Sequence, residues 1–370
     1  MHSDTAPFYA GSTISDPRYF VGYREQLDTI TVRAVSAQPT SINVVGEKRI
    51  GKSSLLYHFC QTYEQRIESR GKNPRNYLAI YLSLQQGNCQ YKSGFYRVFA
   101  EELSKNIEPR RSLFGQSREL EELIQALNAN NFDTESFYQA CVRFRDLGIL
   151  PIICLDKIES LFKHPDEFND DFYDNLRSLM DCNALMLVIA SEKNLQVYSR
   201  RKNLTSSFFN VGQIMILSGF TENEARSLVR LPENKIPNSQ AVLNEKEQQI
   251  SLEWGGNNPY LLQLAGLYIW EARECNKELS WARKRFNLQA LGISTHHNIL
   301  RHSLLFLKWL FWQLPTRLGK IGKFVGTNLG DIGDGIVGWS VIGIIIFVVF
   351  KKIPLENIID AVKNVLGLGG

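Results

Sequence analysis

Eight residues near the N-terminus, GEKRIGKS at 46–53, constrain this chain more than any other part of it. They follow SINVV, an apolar run of strand character, and lead into SSLLYHFCQTY, whose apolar spacing is helical. The two glycines permit torsions and a close approach that let successive backbone N–H groups surround a phosphate. Lys52 would neutralise β- and γ-phosphate oxygens, Ser53 would complete the shell of a magnesium ion, and the following helix points its positive end at the same anion. Gly46, Glu47, Lys48, Arg49, Ile50, Gly51, Lys52, Ser53 and Ser54 are thus the expected nucleotide-phosphate segment. The bare pattern arises by chance in a chain of this length on the order of one per cent of the time. The strand before it and the helix after it lower that further.

A phosphate loop needs a second acidic group, normally at the end of a buried strand on the same side of a sheet. ILPIICLDKIES supplies Asp156, directly after the apolar run 149–155, as the second metal ligand beside Ser53. Other apolar runs at 41–45, 77–84, 184–190 and 213–217 alternate with helical patterns at 52–70, 94–105, 117–128, 133–147 and 166–180. Short runs rich in Val, Ile, Leu and Tyr suit strands buried on both faces, and their alternation with helices implies a parallel sheet covered on both sides. The fold class is therefore α/β, with a five-stranded parallel sheet core over 19–218. From Thr221 the pattern turns helical, through TENEARSLV and then WGGNNPYLLQLAGLYIWEA, which predicts a helical lid subdomain over 219–296.

Composition excludes more than it selects. Lys and Arg (42) nearly balance Asp and Glu (38), a net +4 too mild to call for nucleic acid, and Glu245, Glu247, Glu253 and Glu271 in the lid would repel phosphates. Cys60, Cys89, Cys141, Cys154, Cys182 and Cys275 lie far apart, with no CxxC pair and no His at metal-ligand spacing, and read as reduced thiols. Residues 1–18 are polar and turn-rich, which predicts a mobile or surface-lying arm and lacks the features of a secretory signal.

The C-terminal part departs from both patterns. GIVGWSVIGIIIFVVF at 335–350 carries no charge and is closed by Lys351 and Lys352. As a helix it would measure roughly 24 Å, against about 30 Å for a hydrocarbon core, so residues 329–334 would have to extend it or the bilayer thin. It is predicted as a C-terminal transmembrane helix, the alternative being a buried core helix. The region 297–334, with NILRHSLLFLKWLFWQL at 298–314, reads as juxtamembrane and amphipathic; 351–370 reads as an amphipathic tail, with Ile358, Ile359, Val362, Val365 and Leu366 on one face. This arrangement places the chain at a membrane as a single-pass protein, its phosphate-binding domain on the cytoplasmic side.

Over roughly 19–272 the residues resemble the AAA-like and STAND branch of P-loop NTPases, in particular the archaeal-type ATPases. YFVGYREQL is similar to the opening FVGRExEL, with Tyr23 where Arg is usual; LDKIES is similar to LDEFE; LVIASEKNL resembles a strand ending in a polar sensor; GGNNPYLLQL is similar to a GGxPyllq turn. The resemblance implies ATP as ligand with Mg2+, Phe20 and Val21 beside the adenine, Pro259 touching the nucleotide from the lid, Ser191 sensing the γ-phosphate, and a lid that is helical or winged-helix. It also implies Glu directly after the metal-binding Asp, where this chain has Lys157, a cation that cannot take a proton from water. Glu159, two residues on, is the candidate substitute.

Three functional readings follow. The first is a membrane-anchored ATP-binding switch whose nucleotide state controls assembly, as a homo-oligomer, or a protein partner, in signalling or defence. The second is an active ATPase that remodels protein or nucleic acid, with the basic run Arg200, Arg201 and Lys202 as a trans-acting charge; such a run is more often a solvated face. The third is an ATP-gated effector that disrupts the membrane through its C-terminal segments.

Overall fold

The computed structural model describes residues 6–107 and 133–294, apart from 234 and 238. The predicted helix at 117–128 and the predicted segments at 298–314, 335–350 and 351–370 lie outside the described residues.

Five strands form one parallel sheet: β1 (Ile42–Val45), β2 (Tyr77–Ser83), β3 (Leu150–Asp156), β4 (Met186–Ser191) and β5 (Gln213–Ile216), in the order β2-β3-β4-β1-β5. Each corresponds to one of the apolar runs. The cause is visible in the burial: every residue of β3 and of β4 is buried, which largely aliphatic runs tolerate on both faces. Alternate residues feed two separate cores. Ile153 and Leu155 join Leu187 and Ile189 under α3 (Lys92–Ile107), α4 (Thr134–Asp146) and α5 (Asp170–Asp181). Ile152 and Cys154 face the other way, with Ile42, Val44 and Val188, towards α1 (Arg24–Ala34) and α2 (Lys52–Glu68).

Helix starts follow capping chemistry. Asp133 and Asn169 accept backbone N–H bonds at the heads of α4 and α5, and a full capping box joins Thr221 and Glu224 at the head of α7 (Glu222–Val229). The last turn of α6 (Leu195–Lys202) collects Arg200, Arg201 and Lys202, all exposed, where cations complement the helix dipole. Beyond β5 the described residues are helical: α7, α8 (Glu245–Gly255), α9 (Pro259–Glu274) and α10 (Leu279–Ser294). The helical pattern expected beyond β5 is therefore observed, while no strand of a winged-helix fold occurs there among the described residues. Among the described residues, too, no helix is long and apolar enough to cross a membrane.

Residues 6–18 lie along the surface, one of the two arrangements expected of the N-terminal arm, most of them exposed or half-buried, and they are anchored at Phe8: it is buried, its ring against Gly266 of α9, where an added Cβ would come within 2.7 Å of it. The Tyr9 N–H donates to Gln263 Oε1 at 2.9 Å, the Ile14 N–H to Ser54 Oγ at 3.2 Å, and Gln61 Nε2 to the Ser15 carbonyl at 2.8 Å. The arm thus runs from the lid to the first turns of α2.

Candidate nucleotide site

The carboxyl ends of β1, β3 and β4 lie side by side at one edge of the sheet, because the strands are parallel and in register: Val45 pairs with Ser191, and Asp156 ends β3 beside Ser83. Brackets of this kind form the crevice where doubly wound sheets take ligands. The loop that leaves β1 begins with the Gly46 N–H donating to the Ser191 carbonyl, passes Arg49 at φ 64°, and enters α2 through Gly51 at φ 106°. Gly51 is required twice over, since its torsion is left-handed and an added Cβ would meet the Tyr23 ring at 3.1 Å.

The loop, the end of β3, the arm and the lid all face one cavity of about 700 Å³. Lys48, Arg49, Gly51, Lys52, Ser53 and Ser54 line it from the loop, Phe20 and Val21 from the segment before α1, and Pro259 from the lid. Gly46, Glu47 and Ile50 do not line it. The Lys52 ammonium donates to the carbonyls of Gly46 and Glu47, each at 2.7 Å. Burial pushes its pKa down, and the negative charges of Glu159, Glu192, Asp156 and Glu47 oppose that shift.

Asp156 is almost wholly buried at the cavity floor, with one oxygen accepting from the Tyr81 hydroxyl at 2.8 Å. The other, Oδ1, has no hydrogen-bond partner among the described residues. An orphaned carboxylate oxygen in the same cavity as Ser53 suits a hard divalent cation whose remaining ligands are phosphate and water. No cluster of three or more His, Cys, Asp or Glu side chains able to hold a metal by themselves exists among the described residues, so such a cation would depend on the phosphates.

Lys157, the residue after Asp156, takes φ 60° and donates through Nζ to Gln85 Oε1 at the cavity rim. The turn that follows brings Glu159 into the cavity wall, with Oε1 accepting from the Glu192 N–H and from the Tyr198 hydroxyl, the latter at 3.1 Å. Burial and the Glu159 charge hold the Tyr198 phenol above its ordinary pKa, so it stays a donor to the carboxylate. Arg201 also reaches the wall, whereas Arg200 and Lys202 do not.

Ser191 is placed differently from its expected role. Its side chain is fully buried and absent from the cavity wall, and its hydroxyl accepts from Asn43 Nδ2 at 2.7 Å. Asn43 Nδ2 also reaches the Ile189 carbonyl at 3.1 Å, and Asn43 Oδ1 accepts from the Leu195 N–H at 3.3 Å. This buried amide locks β1 to β4 and turns the Ser191 hydroxyl inward; Ala190 and Glu192 line the cavity in its stead. No periodicity in the sequence marks Asn43.

Tyr23 stands where the resemblance has Arg, and it holds the site together. At φ 56° its N–H donates to Glu224 Oε1 at 2.7 Å, and its hydroxyl lies 2.5 Å from the Ile50 carbonyl and 3.0 Å from that of Ser218. One side chain so ties the phosphate loop to the segment between β5 and α7. Arg49 supplies a second tie, its guanidinium 4.5 Å above the Tyr260 ring of the lid. Tyr260 and Gln263 fall within GGNNPYLLQL, where the resemblance implies a contact only for Pro259.

Residues 9–284 match the family described as AAA-like domain. The chain belongs to that family. Its fold is that of P-loop ATPases: the Walker-type ATPase PABY2304 of Pyrococcus abyssi superposes with a TM-score of 0.54 at 12% identity, over 89% of this chain and 92% of that one. The ORC2 protein of Aeropyrum pernix, in its ADPNP–ADP complexes, gives a TM-score of 0.51 at 13% identity, over 75% of this chain and 69% of that one. At such identities the likeness is one of fold. No curated protein matches the sequence.

Proposed function

We propose that this AAA-like protein is an ATP-dependent switch in which nucleotide sets the relation between the phosphate-loop core and the helical lid. The observation that carries the reading is the shared cavity: loop residues and lid residues line the same space, and Arg49 already stacks on Tyr260. A ligand that fills the cavity touches both parts, and a ligand shifts an equilibrium by its differential affinity for the two arrangements. The description of the A. pernix ORC2 protein in ADPNP–ADP complexes supports adenine nucleotide as the ligand class.

Magnesium held by Ser53 and Asp156 would neutralise charge on the β- and γ-phosphates. The rest falls to the chain. Lys52 exchanges its two carbonyl partners for phosphate oxygens, backbone N–H groups of the loop close around the β-phosphate, and Phe20, Val21 and Pro259 flank the base. Lys157 is engaged with Gln85, and Glu159, which lines the cavity beside Asp156 and Glu192, is the carboxylate we assign to accept a proton from water. That placement favours a second reading beside the first, a slow ATPase in which turnover resets the switch. The C-terminal segments would hold this device at a membrane, where assembly or a partner surface responds to closure, as in STAND-type signalling or defence proteins.

The test is hydrogen exchange of the full-length protein with and without Mg-ATP. Protection is expected together in the phosphate loop, at Tyr23 and across 256–263. Protection confined to the loop would refute coupling of core to lid.

A further inference from the structure

Helix α9 contains one residue out of keeping with the rest. Its buried positions include Leu262, Leu264, Ala265, Gly266 and Ile269, yet Gln263 among them is only 4% exposed. A buried primary amide must satisfy its carbonyl oxygen and its N–H groups, or the fold is destabilised by the loss. Here only half of that is done. Oε1 accepts from the Tyr9 N–H, whereas Nε2 has no partner among the described residues. The orientation of the amide does not rest on choosing between oxygen and nitrogen, because the partner is a backbone N–H and only the oxygen can accept from it.

Gln263 lines the cavity, one helical turn beyond Pro259 and Tyr260. Tyr9, Phe20, Phe220, Leu228 and Tyr260 line the same cavity as Lys52, Ser53, Asp156 and Glu159. A nucleotide whose phosphates sit at Lys52 and Ser53 has these rings within the same space to receive its base. The acceptors carried by the base itself are its ring nitrogens.

We propose that Gln263 reads the base, its unpartnered Nε2 donating to a ring nitrogen of the purine, with the N-terminal arm holding the amide in that orientation through the Tyr9 N–H. The inference rests on the nucleotide reading above and adds a specificity-determining residue to it. It also gives the arm a role in the site: Phe8 anchors on Gly266, and residues 11–14 line the cavity up to the Ile14 N–H bond to Ser54.

The experiment is calorimetric titration of the full-length protein with ATP, with 1-, 3- and 7-deaza-ATP, and with inorganic tripolyphosphate, on wild type and Gln263→Met. One of the deaza analogues is expected to bind wild type roughly 5- to 30-fold more weakly than ATP, the worth of one such hydrogen bond. Gln263→Met should lose the same factor for ATP, bind that analogue no worse than ATP, and keep wild-type affinity for tripolyphosphate. Equal binding of ATP and all three analogues by wild type overturns the inference, without recourse to any variant that disturbs the cleft. Wild type that binds neither ATP nor tripolyphosphate refutes the nucleotide reading instead.

Discussion

Protonation of His58 should destabilise this protein by an amount that can be worked out. The imidazole lies on α2 at 8% exposure, stacked on Phe20 with ring centroids 4.0 Å apart and planes 9° from parallel. Its Nδ1 is buried without a partner among the described residues. Burial, and then the positive charges of Arg66 and Lys235, push its pKa down to about 4 from 6.5. In the unfolded chain His58 binds a proton below about pH 6.5, while in the folded chain it does not until about pH 4. The unfolded state therefore holds more protons across that window, and stability falls as pH drops through it. Integrated from about pH 7.5 to about pH 5, the loss is about 2 kcal/mol. The assay is urea unfolding at those two pH values for wild type and for His58→Gln, so that the titration of carboxylates common to both cancels in the difference of differences. The wild type should lose about 2 kcal/mol more than the variant. Equal losses would show that the folded protein accommodates the imidazolium, for instance over the Phe20 ring, and would refute the reasoning.

Three further outcomes are expected. Glu159→Gln keeps an oxygen for the Glu192 N–H and the Tyr198 hydroxyl but cannot take a proton, so ATP turnover should fall by about 10²–10⁴ with affinity unchanged in a coupled phosphate-release assay. Phe8→Ala removes the arm's anchor on Gly266; thermal unfolding should show a loss of about 2 kcal/mol, and hydrogen exchange at Tyr9 and Ile14 should accelerate before that of α9. Gly22→Ala forces a side chain to φ 82° with its Cβ 2.6 Å from the Phe220 ring, and chemical denaturation should register a cost of about 1–3 kcal/mol.

How much of this was legible beforehand depends on whether a feature leaves a periodic trace. β3 and its terminal Asp156 did, because burial on both faces demands an aliphatic run and the acid ends it. The phosphate loop did, because left-handed torsions and close approach restrict residue types at fixed spacing. Ser191 illustrates the limit: its position at the end of β4 was readable, but the direction of its hydroxyl is decided by Asn43 on the neighbouring strand. Such cross-strand pairs have no sequence spacing to betray them. Phe8 was lost in the average, since one aromatic anchor hardly alters a polar stretch of eighteen residues yet suffices to pin it. Gln263 reads as an ordinary helical polar residue until the arm and the cavity appear on either side of it.

The central claim is that this cleft binds ATP through the loop at 46–53, and calorimetry of full-length protein with Mg-ATP, beside Lys52→Ala, tests it most directly. The account predicts saturable binding by wild type, weakened at least about tenfold in the variant as charge-assisted bonds to phosphate are lost. Binding of equal strength by both proteins, or by neither, would contradict it.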